Sequence, residues 1–137
     1  MKVALDTNIL IYFFEGIEPH ASRVEKILAA IIKGKDEGVI STITVAEVLT
    51  GFYTADPTRA AKAKELLSDL TLNGFKIVSV TFEIADLAAN LCAQYGGKLP
   101  DALIAATAQN QGADVLYSQD KDLQRYSEDI TIAELPI

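Results

Sequence analysis

Four acidic residues stand where apolar segments of this sequence end, and they are the residues most able to do chemistry. Asp6 follows Val3-Ala4-Leu5 and precedes the run Ile9–Phe14. Glu47 lies shortly after Val39-Ile40-Ser41-Thr42, Asp101 opens an alanine-rich run, and Asp120 follows Val115-Leu116-Tyr117 with Asp122 two residues on. A carboxylate buried in its ionised form is costly unless a metal, a cation or hydrogen bonds compensate it. No arginine or histidine accompanies the four. Carboxylates gathered in that way repel one another, and the usual remedy is a hard divalent ion, Mg²⁺ or Mn²⁺, held by carboxylates and waters. One or two such ions lower the pKa of a bound water and stabilise the extra negative charge of a phosphate in its transition state.

Each acid also has a purely structural reading. Thr44-Val45-Ala46-Glu47 matches a capping box, in which Glu47 would only close a helix start. Asp101 could be a helix N-terminal charge favoured by the dipole, and Asp120 could cap the short turn before Leu123. Asp6 could be a buried aspartate satisfied by helix amides. The joint pattern is more specific than any one residue. Glu25, Glu65, Asp69, Glu128 and Glu134 read instead as solvated surface.

The elements that must position these residues are legible from periodicity and breakers. A short strand ends at Leu5, and a buried helix follows the polar break Asp6-Thr7-Asn8. Gly16 and Pro19 mark a turn, and a helix with one apolar face runs from His20 to about Lys35. Asp36-Glu37-Gly38 reads as a stop before a strand at Val39–Thr42, and Thr44 as the cap of the next helix, Val45–Tyr53. Asp56-Pro57 starts another helix, which Asn73-Gly74 ends. Phe75–Val80 reads as a third strand, and Thr81 caps a helix reaching Tyr95. Gly96–Pro100 reads as a loop, Asp101–Ala108 as the most buried helix, Asp114–Tyr117 as a fourth strand, Leu123–Tyr126 as a short helix and Ile130–Leu135 as a last edge strand. Short strands alternating with helices predict one α/β domain over residues 1–137, a three-layer α/β/α sandwich with a mostly parallel central sheet. In such a sheet the positions after the first, second and fourth strands share one edge, where ligands bind. Topology alone does not bring Asp101 there.

Bulk properties narrow the function classes. Twelve basic against nineteen acidic residues give 12 − 19 = −7, which argues against coating nucleic acid through bulk charge. A local basic patch and metal ions remain open to it. The single Cys92 and single His20 exclude an internal disulfide and a multi-histidine or cysteine-rich metal site. No signal-peptide layout is present and no apolar run approaches the ~18 residues of a membrane span, so a soluble, cytoplasmic protein is expected.

The stretches Val3–Asn8, Thr44–Glu47, Leu99–Ala108 and Leu116–Leu123 together resemble the PIN-domain nucleases, most closely the VapC-type ribonuclease toxins of toxin–antitoxin pairs. The resemblance spans essentially the whole chain. Its segments around Asp101 and Asp120 are the most specific. It implies an α/β/α endoribonuclease dependent on Mg²⁺ or Mn²⁺, with Asp6, Glu47, Asp101 and Asp120 as the acidic quartet. Asp6, Asp101 and Asp120 would hold the principal ion, and Glu47 would bind it through water or help to bind a second. Asn8 and Ser118 would orient carboxylates or water, and Asp122 would be an alternative or additional ligand. Leu123 stands where the family often has an aromatic residue, a change expected to alter packing and not chemistry. The resemblance also implies an RNA substrate, a homodimer and a cognate antitoxin protein, with the first three helices supplying the groove for its peptide. Lys98 and Lys121 flank the site in sequence and are either RNA-backbone contacts or ordinary surface lysines. The segments Phe52–Asp56 and Tyr95–Leu99 are the expected substrate loops.

Two other classes fit less well. A phosphatase of small esters would share the acidic site, and a non-catalytic binding module would share only the fold. A phosphate-accepting receiver would need an aspartate after the third strand, where Ser79-Val80 stands, and a lysine in the tail, which has none.

Overall fold

The computed structural model describes residues 1–137. The elements run β1 (Lys2–Leu5), α1 (Thr7–Glu15), α2 (His20–Ile32), β2 (Glu37–Ser41), α3 (Thr42–Ala55), α4 (Pro57–Thr71), β3 (Phe75–Val78), α5 (Phe82–Tyr95), α6 (Leu99–Asn110), β4 (Val115–Tyr117), a 3₁₀ helix (Lys121–Tyr126) and β5 (Ile132–Ala133). The five strands form one sheet in the order β3-β2-β1-β4-β5, and every pairing is parallel. The expected α/β/α architecture is therefore present, with a sheet that is parallel throughout. No helix is long and apolar enough to cross a membrane.

Successive strand residues point to opposite faces, and both faces are covered. Val3, Leu5, Ile40 and Val115 pack against residues of α1, α2, α3 and α4. Ala4, Val39 and Leu116 pack against α5, α6 and the 3₁₀ helix. The alanines of α6 (Ala102, Ala105, Ala106 and Ala108) are all buried. Their short side chains let this helix lie close to the sheet, as its composition predicts.

The topology creates a crevice at one point. From β1 the chain steps outward to β2 and β3, then returns through α5 and α6 to β4 on the other side of β1. The connection after β1 enters α1, whose Ile9 and Leu10 join one core. The connection after β4 enters the 3₁₀ helix, whose Leu123 and Tyr126 join the other. The two chains diverge beyond the C-terminal ends of β1 and β4, which is where an open α/β sheet binds ligands.

Several boundaries differ from the sequence reading. Asp36-Glu37-Gly38 is not a stop, because Glu37 and Gly38 already belong to β2. The glycine is there for space: a Cβ at Gly38 would fall inside the ring of Phe75 on the neighbouring strand. Ser41, not Thr44, caps α3, its hydroxyl accepting from the Ile43 amide at 3.0 Å. Thr44 is fully buried inside the helix. That helix runs through Gly51 to Ala55, so Phe52–Asp56 is not a loop, and Phe52 is core. The third strand ends at Val78 and the edge strand shortens to Ile132–Ala133. Finally, α6 begins at Leu99, with Pro100 in its first turn and Asp101 directly after it.

Candidate active site

Asp6 leaves the end of β1 with its backbone still in the sheet, its amide donating to the Tyr117 carbonyl of β4 at 3.0 Å. Its side chain is buried, 4% exposed. Oδ1 accepts from the Thr7 amide at 2.7 Å, as an N-cap does. Oδ2 accepts from the Ser118 hydroxyl at 2.6 Å. Burial pushes its pKa up from 3.8 to about 6, and the charges of Asp101 and Glu47 push the same way. The hydrogen bonds from Ser118 and Thr7 hold it down only in part.

Ser118, just past β4, is itself buried. Its Oγ donates to Asp6 and accepts from the Asp120 amide at 3.0 Å. One hydroxyl thus fixes Asp6 and the loop that carries Asp120. Asp120 caps the 3₁₀ helix, its Oδ1 accepting from the Asp122 amide at 2.9 Å. The structural role anticipated for Asp120 is real, and it fixes the carboxylate beside the crevice. Asp122 is exposed.

Glu47 is on the first half of α3, exposed, and its Oε1 accepts from the Thr7 hydroxyl at 2.6 Å. With Ser41 as the cap, the capping-box reading of Thr44 and Glu47 does not hold. Thr7 therefore ties two of the four acids together, by its amide to Asp6 and its hydroxyl to Glu47. Asp101, in the first turn of α6, has its pKa raised by burial first, then by Asp120 and Glu47, with Lys98 lowering it and Asp122 adding a little. No hydrogen bond offsets these effects. The helix N-terminus, which topology left unplaced, thus points Asp101 into the crevice from the side.

All four acids of the quartet lie in one electrostatic cluster, with Asp122 at its margin. The donor set is hard oxygen throughout, the type that suits Mg²⁺ or Mn²⁺. No three acidic side chains close into a ready-made cage for an ion. Asn8 lies in the first turn of α1, and its Oδ1 accepts from the Gln119 amide at 3.5 Å, steadying the loop after β4. Lys98 is exposed at the N-cap of α6, where its charge reaches Asp101, and Lys121 is exposed at the start of the 3₁₀ helix. Thr7 is the residue the sequence reading missed; it sits in the quoted Asp6-Thr7-Asn8 break, but its partner lies 40 positions away.

A fully parallel five-stranded sheet with acidic residues gathered at its switch point defines a small α/β protein with an acidic candidate site. The PIN domain family model matches residues 3–129, and the chain belongs to that family. Among solved structures it is similar to a toxin–antitoxin complex from Klebsiella pneumoniae, at 28% identity, covering 96% of this chain and 95% of that one with a TM-score of 0.72. It is similar to VapBC-1 from nontypeable Haemophilus influenzae, at 26% identity, 98% coverage of both chains and a TM-score of 0.71. The DNA-bound VapBC of Salmonella typhimurium shares the fold, with 19% identity, 99% coverage of both and a TM-score of 0.77. No curated protein matches. The resemblance to VapC-type toxins is borne out by these likenesses, and family and relatives together support a toxin nuclease.

Proposed function

We propose that this chain is a Mg²⁺- or Mn²⁺-dependent endoribonuclease that hydrolyses RNA phosphodiester bonds as the toxin of a type II toxin–antitoxin pair. The observation that carries the reading is Asp6: a carboxylate buried at the sheet's switch point, facing Asp101 and Glu47, its pKa pushed up to about 6. A cation bound there would relieve a carboxylate in that state. Asp6, Asp101 and Asp120 would hold the principal ion, with Glu47 acting through water or on a second ion and Asp122 as an additional ligand. A bound divalent ion supplies an acidified water and neutralises charge on the phosphate.

The remaining work falls to the chain's own residues. Ser118 and the Thr7 amide hold Asp6 in one orientation, so its free lone pairs keep a fixed direction. Thr7 Oγ1 holds Glu47, which is exposed to solvent and would bind the ion through water or help to bind a second. The Asp120 carboxylate is held by its own turn. Lys98 lies next to Asp101 and would meet the incoming RNA backbone, with Lys121 further along the same rim. The scissile phosphate, being anionic, is drawn by this local site and not by the chain's net charge.

The relatives that are toxin–antitoxin complexes support an antitoxin partner here. An apolar groove of about 420 Å³ lies between α1, α2 and α4, lined by Phe13, Phe14, Ile32 and Leu66 with Glu25 and Asp69 among its walls. It suits an amphipathic antitoxin segment carrying arginine or lysine to meet those two acids. A homodimer is part of the same proposal, and light scattering of the purified chain tests it.

The decisive assay is cleavage of mixed structured and unstructured RNA by protein freed of any partner, in Mn²⁺, Mg²⁺ or EDTA, beside Asp6→Asn. Cutting that requires the metal and is lost in the variant supports the proposal. Equal cutting by both proteins, or cutting undiminished in EDTA, refutes it.

A further inference from the structure

The loop between α5 and α6 is gripped by the 3₁₀ helix. Gly96 and Gly97 both have positive φ, 78° and 96°. The buried Tyr126 donates its hydroxyl to the Gly96 carbonyl at 3.0 Å. Arg125 lies over the same two glycines: its Nη1 is 3.2 Å from where a Cβ would stand at either, and its Cδ is 2.9 Å from that point at Gly97. Its Nε donates to the Asp122 carbonyl at 3.0 Å. The side chain of Arg125 is therefore fixed at its stem and seated on bare backbone. The next residue of that loop is Lys98, whose charge reaches Asp101.

Neither Arg125 nor Lys98 has a carboxylate within ion-pair distance. In a chain of net charge −7, Arg125 is thus seated on the loop that carries Lys98, and the charge of Lys98 reaches the acidic crevice. A guanidinium anchored through Nε keeps its terminal N–H donors free in a fixed fork, the geometry that matches a phosphate. A lysine beside it adds a mobile point charge.

We propose that Arg125, with Lys98 beside it, forms a clamp for a backbone phosphate of the RNA strand, next to the phosphate that is cut. The glycines at 96 and 97 leave the space for the guanidinium to lie there. This inference rests on the nuclease reading and adds to it a substrate-binding residue, Arg125, and the loop that seats it.

The test uses Asp6→Asn protein in Mg²⁺, so that RNA binds without being cut, and a fluorescein-labelled mixed-sequence oligoribonucleotide of about 20 nucleotides. Fluorescence anisotropy is read over a salt series. Adding Arg125→Gln should weaken binding about tenfold, and the slope of log K against log salt should become shallower by about 0.7, the value for one phosphate contact on a single strand. Lys98→Gln should change the slope in the same sense. Arg125→Lys should restore the slope but only part of the affinity, because the charge returns without the fork. Lys26→Gln, an exposed charge removed elsewhere, serves as the control for net charge. If Arg125→Gln binds with the affinity and slope of its background, while the parent still cuts RNA in a metal-dependent way, the clamp is wrong and the nuclease stands. Lost affinity at an unchanged slope also overturns the clamp, leaving Arg125 a structural role. If the parent neither cuts RNA nor binds the oligonucleotide at any salt, the nuclease reading fails and the clamp falls with it.

Discussion

Replacing Asp6 by asparagine should make the metal-free protein more stable while removing its activity. In the folded chain the Asp6 pKa is about 6, against 3.8 without burial. That difference of about 2 units corresponds to about 3 kcal/mol by which folding disfavours the ionised form at neutral pH. Asparagine removes the charge and keeps the shape. It cannot keep every hydrogen bond. Its oxygen can still accept from the Thr7 amide, but its NH₂ then faces the Ser118 hydroxyl, which now donates to Asp6 at 2.6 Å. Turning that hydroxyl away costs about 1 kcal/mol. The expected net gain is about 2 kcal/mol, and at roughly 3–4 °C per kcal/mol for a chain of this size, Tm rises by about 6–8 °C.

The pH dependence fixes the cause. Below the unfolded pKa near 3.8, Asp6 is protonated in both states and contributes nothing. As pH rises through 3.8 the unfolded carboxylate ionises while the folded one stays protonated, so the parent loses stability relative to the variant. The loss grows until pH reaches the folded value of about 6 and is constant above it. Thermal melts of both proteins in EDTA from pH 4 to pH 8 should show a gap that is small at the acid end, opens between about 4 and 6, and then stays flat. Added Mn²⁺ should close the gap by stabilising the parent more than the variant. If Asp6→Asn is no more stable than the parent at pH 7 in EDTA, or if the gap is the same at every pH, Asp6 is not a carboxylate strained by burial.

Three further substitutions probe the supports of the site and the packing beneath it. Ser118→Ala removes a donor to Asp6 and an acceptor for the Asp120 amide; urea unfolding should show a loss of about 1–3 kcal/mol, and RNA cleavage should fall roughly 10–100-fold. Thr7→Val frees Glu47 while leaving the amide bond to Asp6 in place; cleavage should fall with little change in Tm, and an unchanged rate would remove Glu47 from the mechanism. Gly38→Ala drives a methyl into the Phe75 ring, so denaturation should reveal a loss of about 1–3 kcal/mol, with the residual folded protein cutting RNA at the parent's rate.

How much of this was legible depended on whether the signal was local. Asp6 and Asp120 stand out because each follows directly on an apolar strand segment, and a parallel sheet puts such positions on one edge. Asp101 was visible as a residue but not as a neighbour; its place depends on how α6 packs across the sheet, which no local pattern records. Thr44 misled because Thr-x-x-Glu is a cap pattern wherever it occurs, and nothing local says that Ser41 has already started the helix. Glu37 and Gly38 looked like a turn because a glycine in a strand is explained only by the Phe75 ring on the next strand. The loop guess at Phe52–Asp56 failed because core packing of Phe52 carries α3 past Gly51. Thr7 and Arg125 have the same difficulty in another form. Their partners are separated from them by tens of residues, so their types are readable and their roles are not.

The proposed function has an acidic protein act on an anionic polymer, and the site offers a physical route to it. The carboxylates sit at the switch point of the sheet, and folding holds them there against their mutual repulsion. Ser118 and Thr7 do not neutralise them; they fix their directions and leave the charge in excess. A divalent ion bound there would relieve that excess and reverse the local sign, and would confine the affinity for phosphate to a few ångströms around the ion. The clamp cations Lys98 and Arg125 lie beside this point and not across the surface. Under the proposed function such a chain would avoid the general nucleic-acid affinity of a basic protein, and its activity would be set by whether the metal and the crevice are accessible. A partner that enters the crevice with a single positive side chain would satisfy the same excess charge and block the ion and the substrate together.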